Sequence, residues 1–183
     1  MGLAGGLASH KLLDMSGGDL AMHMVAVPIA TAEGLLLGQY AAAKNPDFDS
    51  GQGVGLMLTA GGLTGLASTA ISPFVDPQAE NMAFYGSSAL WGAWFGTLVP
   101  IAFVPDGDPE GLLLTSALGI DAGVAAGVGL VARGVEPRQT VRPQLVGIGG
   151  ATMGAMVVAL STDNGQSVAA GAVVGSVLGI GAG

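Results

Sequence analysis

The chain has 183 residues; half of them are hydrophobic and only 10% are charged, against about a quarter in an ordinary soluble domain. The net charge is −8, and the five basic residues are scattered along the chain. A nucleic-acid partner is therefore not expected, because it would need a basic surface. Because the chain has no cysteine, disulfides and thiolate metal centres are excluded. There are 33 glycines, more than twice the usual frequency of roughly 7%, without a collagen period.

Seven apolar segments follow one another along the chain, separated by clusters of charged residues and prolines. Most are too long for strands and close to the roughly 20 residues with which a helix spans a bilayer core. Segment 82–104 has no charged residue and is the clearest candidate for contact with lipid. The pattern predicts an all-α protein of about seven helices. The segments are residues 1–10, 22–43, 53–72, 82–104, 111–132, 145–160 and 167–183.

Glycines recur in register along these segments, at intervals of 56 to 58 residues. Glycines four positions apart share one helix face and leave a groove that a neighbouring backbone can approach closely. Two helix types, A and B, alternate as A-B-A-B-A-B-A, which predicts repeated antiparallel hairpins. The predicted helix-packing residues are Gly34, Gly38, Gly92, Gly96, Gly150 and Gly154 in the B helices, with Gly61, Gly65, Gly119, Gly123, Gly127, Gly171, Gly175 and Gly179 in the A helices.

The repeat organises the chain as one helical domain, residues 1–183, with a period of about 58 residues. A partial first unit covers residues 1–52, and two full units cover 53–110 and 111–166. A fourth unit starts at 167–183. Neither end shows capping features, so we expect the array to continue in a longer chain.

The last part of the chain resembles a known group of sequences. Val141 to Gly154, the polar turn Ser161 to Ser167 and the glycine row after it resemble uncharacterised glycine-rich helical-hairpin proteins of myxobacterial envelopes. The earlier copies of this segment in the repeat match less well, because they have no residue equivalent to Arg142. The resemblance implies a helical-hairpin architecture and a bacterial envelope setting, and it implies no chemistry.

Three environments could hold such helices: lipid, the core of a large protein assembly, or a soluble helical solenoid attached to other domains. A soluble solenoid needs a polar stripe on each helix, and no segment has one, which favours lipid. Charges alternate between connections, although the A-to-B connection from Pro73 to Asn81 has no basic residue. The A-to-B connections carry Lys11, Arg133, Arg138 and Arg142, whereas the B-to-A connections carry Asp47, Asp49, Asp106, Asp108, Glu110 and Asp163. The expected function is a structural, oligomeric membrane or cell-envelope component whose partners are membrane lipid, its own copies or other envelope subunits.

Glu33 and Asp121 are the two acids inside apolar segments. A carboxylate inside a membrane is costly, which makes both residues candidates for a channel or transport path. The alternative is a neutral acid bonded to a neighbouring helix; neither acid recurs in the repeat, since Glu33 aligns with Trp91 and Asp121 with Leu63.

Other chemistry has weaker support in the sequence. The acidic turns around Asp47 and Asp108 suit calcium poorly, because they offer too few ligands, and ordinary turns are the simpler interpretation. His10 and His23 are too few for a metal site. No nucleophile, base and orienting group converge, so neither an enzyme nor a cofactor is expected.

Overall fold

The computed structural model describes residues 16–45, 47–104 and 108–183. This part of the chain is almost entirely helical and contains no strand, which confirms the predicted all-α class. The apolar segment at residues 1–10, predicted as a seventh helix, lies outside the described residues. The six helices are α1 (Gly17–Lys44), α2 (Ser50–Val75), α3 (Ala79–Phe103), α4 (Pro109–Ala132), α5 (Pro137–Ala159) and α6 (Gly165–Ala182).

Side chains in the connections set where several helices begin. The Asp49 carboxylate accepts a hydrogen bond from the Gln52 backbone N–H at 2.8 Å, and the Asp49 N–H in turn donates to the Gln52 side-chain oxygen at 3.0 Å. Asp108 accepts from the Glu110 N–H at 3.1 Å, and Asn164 caps α6. These side chains accept hydrogen bonds from backbone N–H groups that the start of a helix leaves without a partner. The acidic turns therefore have a structural role as N-caps.

The start of α5 differs from the prediction. The stretch from Arg133 to Gln144 was predicted as a connection, but α5 begins at Pro137. Proline is well suited to the first helical position because its φ is already helical and no N–H bond is lost there. Pro143 interrupts one backbone bond without ending the helix. Arg138 and Arg142 therefore lie on a helix and not in a loop.

The helices pack as three antiparallel pairs: pair I (α1 and α2), pair II (α3 and α4) and pair III (α5 and α6). Each pair joins a B helix to the A helix after it, so it draws its helices from two successive 58-residue units. Between pairs, the B helix packs on the A helix of the next pair: α1 on α4, and α3 on α6. Helix α3 also contacts α1 and α5, which makes it the central helix.

Ion pairs show that connections of one kind lie at the same end of the bundle. At the B-to-A end, Lys44 binds Asp108, with Nζ and Oδ2 3.1 Å apart, and Glu110. At the opposite end, Arg138 binds Glu80 with an N–O distance of 3.1 Å. The A-to-B and the B-to-A connections are thus separated by the length of the helices.

Four helices are long and apolar enough to cross a membrane: α1, residues 51–71 of α2, α4 and α6. Their side chains are poorly covered by the rest of the protein, and only 6% of the most apolar stretch of α1 is buried. Helix α3 is not among the four, contrary to the prediction for segment 82–104. Its serines, glycines, tyrosine and tryptophans lower its mean hydropathy.

Candidate functional site

The interface of pair II is a backbone-to-backbone contact between glycines. A Cβ added at Gly92 would collide with the Gly119 carbonyl oxygen, and one at Gly119 would collide with that of Gly92. Gly96 meets Thr115 in the same way, and Gly123 meets Ser88. No side chain of any size fits between these backbones, so glycine is required for the two helices to approach this closely.

Pair III repeats this contact at the same register. Gly150 meets Gly175, Gly154 meets Gly171, and Gly179 meets the Val146 carbonyl. The contacting residues of α5 are each 58 residues after their counterparts in α3, and those of α6 are each 56 residues after their counterparts in α4. The two pairs therefore reproduce one structural unit.

Pair I departs from that unit by about one helical turn. The repeat pairs Gly34 with Gly61, but Gly34 instead meets Met57 and Ala60, and Gly38 meets Gly53 with 2.9 Å between the added Cβ and the Gly53 Cα. Gly61 faces the Thr31 hydroxyl. Glycine at position 53 permits this shifted register, because it gives Gly38 a partner without a side chain.

The other predicted packing glycines also lie inside pair interfaces: Gly65 contacts Val27 and Gly127 contacts Ser88. The sequence analysis missed other packing glycines, among them Gly53 and Gly147. Gly147 is buried between pairs II and III, where an added Cβ would lie 3.1 Å from the Trp91 ring and 2.6 Å from Ile180. Its place in the Gly147-Ile-Gly-Gly150 run was a signal, but the 58-residue comparison did not select it.

The two acids within the apolar segments meet in space. The Glu33 carboxyl on α1 lies beside the Asp121 carboxyl on α4, across the contact between these two helices. Glu33 is half-buried and Asp121 is exposed, so the pair lies at the rim of the contact between pairs I and II. Two adjacent carboxyls cannot both ionise without repulsion, and a proton or a cation between them removes it. The arrangement can therefore bind a small positive charge.

The corresponding contact between pairs II and III uses aromatic residues. Trp91 occupies the repeat position of Glu33. Its ring stacks on that of Phe95, one turn further along the same helix, with ring centroids 5.7 Å apart. The indole Nε1–H of Trp94 donates to the Ser176 hydroxyl at 3.2 Å, and Ser176 is fully buried. The contact between pairs I and II thus carries two carboxyls, whereas the equivalent contact between pairs II and III carries aromatic rings.

An apolar cavity of about 690 Å³ lies between pairs II and III. Its floor is formed by α3, including Trp91 and Phe95, and by the small residues of α4. Gln139, Thr140 and Gln144 of α5 line it near the A-to-B end of the bundle. Helix α3 packs closely on α1 but makes only a few contacts with α5. The cavity lies in the space that this looser contact leaves between α3 and α5.

Polar groups elsewhere are engaged in helix contacts. His23 bridges pair I: its Nδ1 donates to the Asp19 carbonyl at 2.8 Å, and its Nε2 is 2.7 Å from the Thr69 hydroxyl. Within the described ranges, no group of three or more His, Cys, Asp or Glu side chains is placed to hold a metal ion. His10 and Asp106 lie outside those ranges. Comparison with protein-family models, curated proteins and solved structures found no match to this chain.

Proposed function

We propose that this protein is a structural component of a membrane, an array of helix pairs that assembles head to tail with further copies of itself. The observation that carries the proposal is the repeated contact between pairs. It is made twice within the chain, α1 on α4 and α3 on α6, and no described helix of the chain makes the equivalent contact on the outer helices α2 and α5.

The repeat identifies those unfilled positions. In the internal contacts the A helices contribute Asp121 and Ser176, while the B helices contribute Glu33 and Trp94. Shifted by the repeat interval, the A positions become Gly62 and Leu63 on α2, and the B positions become Gly149 and Thr152 on α5.

These four residues are exposed, and Leu63 is 62% accessible. An added Cβ at Gly62 or Gly149 would meet nothing within 4 Å. The two outer helices thus offer complementary halves of a contact that the chain already uses. A contact between different surfaces is heterologous, so it produces a ring if the rotation closes and a filament if it does not.

The exposed side chains support a lipid environment. Large apolar residues cover the outer helices, with Leu58 and Leu66 of α2 63% and 71% accessible and Met153 of α5 70% accessible. Contiguous apolar surface of this kind marks a membrane or protein contact. Lipid and neighbouring copies would cover it together, and the bacterial envelope implied by the sequence resemblance is the setting we propose.

Paired cysteines test the assembly, because the native chain has no cysteine. We expect the Leu63→Cys, Thr152→Cys double variant to give a ladder of cross-linked multimers when oxidised in membranes. The matched control carries Leu118→Cys, on the exposed surface of α4, with Thr152→Cys. It should remain monomeric.

Two results would contradict the proposal. A monomer from the Leu63→Cys, Thr152→Cys variant excludes the head-to-tail contact. A dimer from Thr152→Cys alone, without a ladder from the pair, shows a symmetric contact instead. Carbonate extraction reports separately on the membrane setting, since a protein released by carbonate is not embedded.

A second function is favoured by the contact between Glu33 and Asp121. A carboxyl pair within apolar segments could pass protons or small cations along the junction of pairs I and II. Proton flux into dye-loaded liposomes tests this. Glu33→Gln or Asp121→Asn should abolish the flux, whereas Asp163→Asn, in an exposed connection, should leave it unchanged. Equal flux in all four proteins excludes a transport role for the pair.

A further inference from the structure

The cavity between pairs II and III is elongated and apolar. On α3 its lining runs from Phe84 to Gly96, about 18 Å at 1.5 Å per residue. On α4 it runs from Gly119 to Leu130, about 16 Å. Its volume of about 690 Å³ is within the range of ligand pockets, roughly 300–1,000 Å³. A slot of this shape suits a single hydrocarbon chain lying parallel to the helices.

One end of the cavity is polar and lies at the A-to-B end of the bundle. Gln139, Thr140 and Gln144 line that end, close to the start of α5. The C-terminus of α4 also lies there. Gly134 adopts a φ of 87°, and the Val135 N–H bonds to the Leu130 carbonyl at 3.0 Å, so this turn folds Val135 back over the cavity.

Three of the five basic residues of the chain lie on the elements at this end, although none of them lines the cavity. Arg133 lies two residues before the lining residue Val135, and Arg142 directly precedes the lining residue Pro143. Within the described part of the chain, neither of these arginines makes an ion pair, and both are exposed. Arg138 differs, because it is bound to Glu80.

Two acids lie beside these arginines. Glu80 binds Arg138, and the Glu136 carboxylate accepts a hydrogen bond from the Gln139 amide at 3.3 Å. Within the described residues neither acid forms an ion pair with Arg133 or Arg142, so both guanidinium groups are available to an anion. An anionic phospholipid has the complementary arrangement, with one phosphate joined to hydrocarbon chains.

We propose that the cavity binds one acyl chain of an anionic phospholipid whose phosphate lies at Arg133 and Arg142. The site rests on the proposed membrane setting. Arginine suits the phosphate because its planar donors can form two parallel hydrogen bonds. The bound acyl chain would fill the space between α3 and α5, which make only a few contacts with each other.

Fluorescence quenching by brominated lipids tests the site. The Trp94→Phe variant retains Trp91, in the cavity wall, as its sole tryptophan. In phosphatidylcholine vesicles we expect brominated phosphatidylglycerol to reach half-maximal quenching at about a tenfold lower mole fraction than brominated phosphatidylcholine, since each basic residue near a membrane surface favours anionic lipid.

Matched variants separate the charge from the slot. In the same Trp94→Phe protein, Arg133→Gln with Arg142→Gln should abolish the preference for phosphatidylglycerol, while Arg138→Gln should preserve it. Ala126→Leu, which fills the cavity, should reduce quenching by both lipids. Ala125→Leu, on the same helix and outside the lining, should not.

Flotation of the vesicles distinguishes the two levels of the proposal. A protein that does not float with the vesicles contradicts the membrane setting. A protein that floats, but in which both brominated lipids quench Trp91 at the same mole fraction, contradicts the lipid site alone. Loss of the preference in the Arg138→Gln control, with its retention in the Arg133→Gln, Arg142→Gln variant, would also refute the assigned phosphate position.

Discussion

The carboxyl of Glu33 on α1 and the carboxyl of Asp121 on α4 are in contact, although the sequence gives the two residues no common motif. Each belongs to a different helix pair, so the contact joins pair I to pair II. The repeat places Trp91 where Glu33 stands, and there the next junction is aromatic.

The carboxyl contact predicts coupled effects of substitution. At pH 8 we expect Glu33→Gln to leave the free energy of unfolding unchanged or to raise it, because an amide removes the repulsion and can donate to Asp121. In a double-mutant cycle with Asp121→Asn, the coupling should fall within about 0.5–3 kcal/mol. Chemical unfolding in detergent measures it, and strictly additive effects would mean that the two side chains do not interact.

The glycine contact of pair II predicts a large effect of one methyl group. Gly92→Ala should lower the free energy of unfolding by about 1–3 kcal/mol, because its Cβ collides with the Gly119 backbone and the helices must move apart. Gly129→Ala is the matched control on α4, since its Cβ meets nothing within 4 Å. It should gain up to about 1 kcal/mol from helix propensity. Equal unfolding curves for the two variants would exclude the close backbone contact.

The shifted register of pair I predicts a rescue that pair II cannot show. Gly61→Ala should be destabilising because its Cβ collides with the Thr31 hydroxyl. Thr31→Ala should restore stability, since only the Cβ of residue 31 then remains, at 3.4 Å.

Pair II provides the comparison for this rescue. Gly119→Ala meets the backbone of Gly92, so no side-chain truncation on α3 should restore it. Thermal unfolding followed by circular dichroism compares the three variants. If Thr31→Ala fails to rescue Gly61→Ala, then Gly61 faces Gly34, as the sequence repeat implies.

The ion pair at the B-to-A end predicts a weak pH dependence. The hydrogen bond from Lys44 and that from the Glu110 N–H hold the pKa of Asp108 below its usual value. Because the folded-state pKa is lowered, the stabilisation is present above the unfolded pKa of about 3.9 and is lost as the pH falls through the folded value.

Asp108→Asn isolates this charge effect, since asparagine also caps a helix. We expect the variant to unfold at a slightly lower temperature than the native protein at pH 7, and at the same temperature once the pH is below the folded-state pKa of Asp108. Both side chains of the ion pair are about half exposed, so the difference should be small. A difference that persists unchanged in acid would assign it to the cap.

The sequence by itself determined the helical class, most helix positions and the glycines that line the pair interfaces. These follow from local properties: long apolar runs cannot be strands, and glycines four apart must share a helix face. The start of α5 was placed too late because charge was taken as the mark of a connection, whereas Pro137 begins a helix that carries Arg138 and Arg142.

Only the tertiary structure decided which helices meet and at what register. The sequence repeat aligns Gly34 with Gly92, yet the partner of Gly34 is one turn away from the expected Gly61, because Gly53 offers a backbone of equal access. The meeting of Glu33 with Asp121 depends on how pair I lies against pair II, and no local pattern encodes it. The cavity likewise depends on how far apart α3 and α5 stand, which is decided only when the pairs pack against one another.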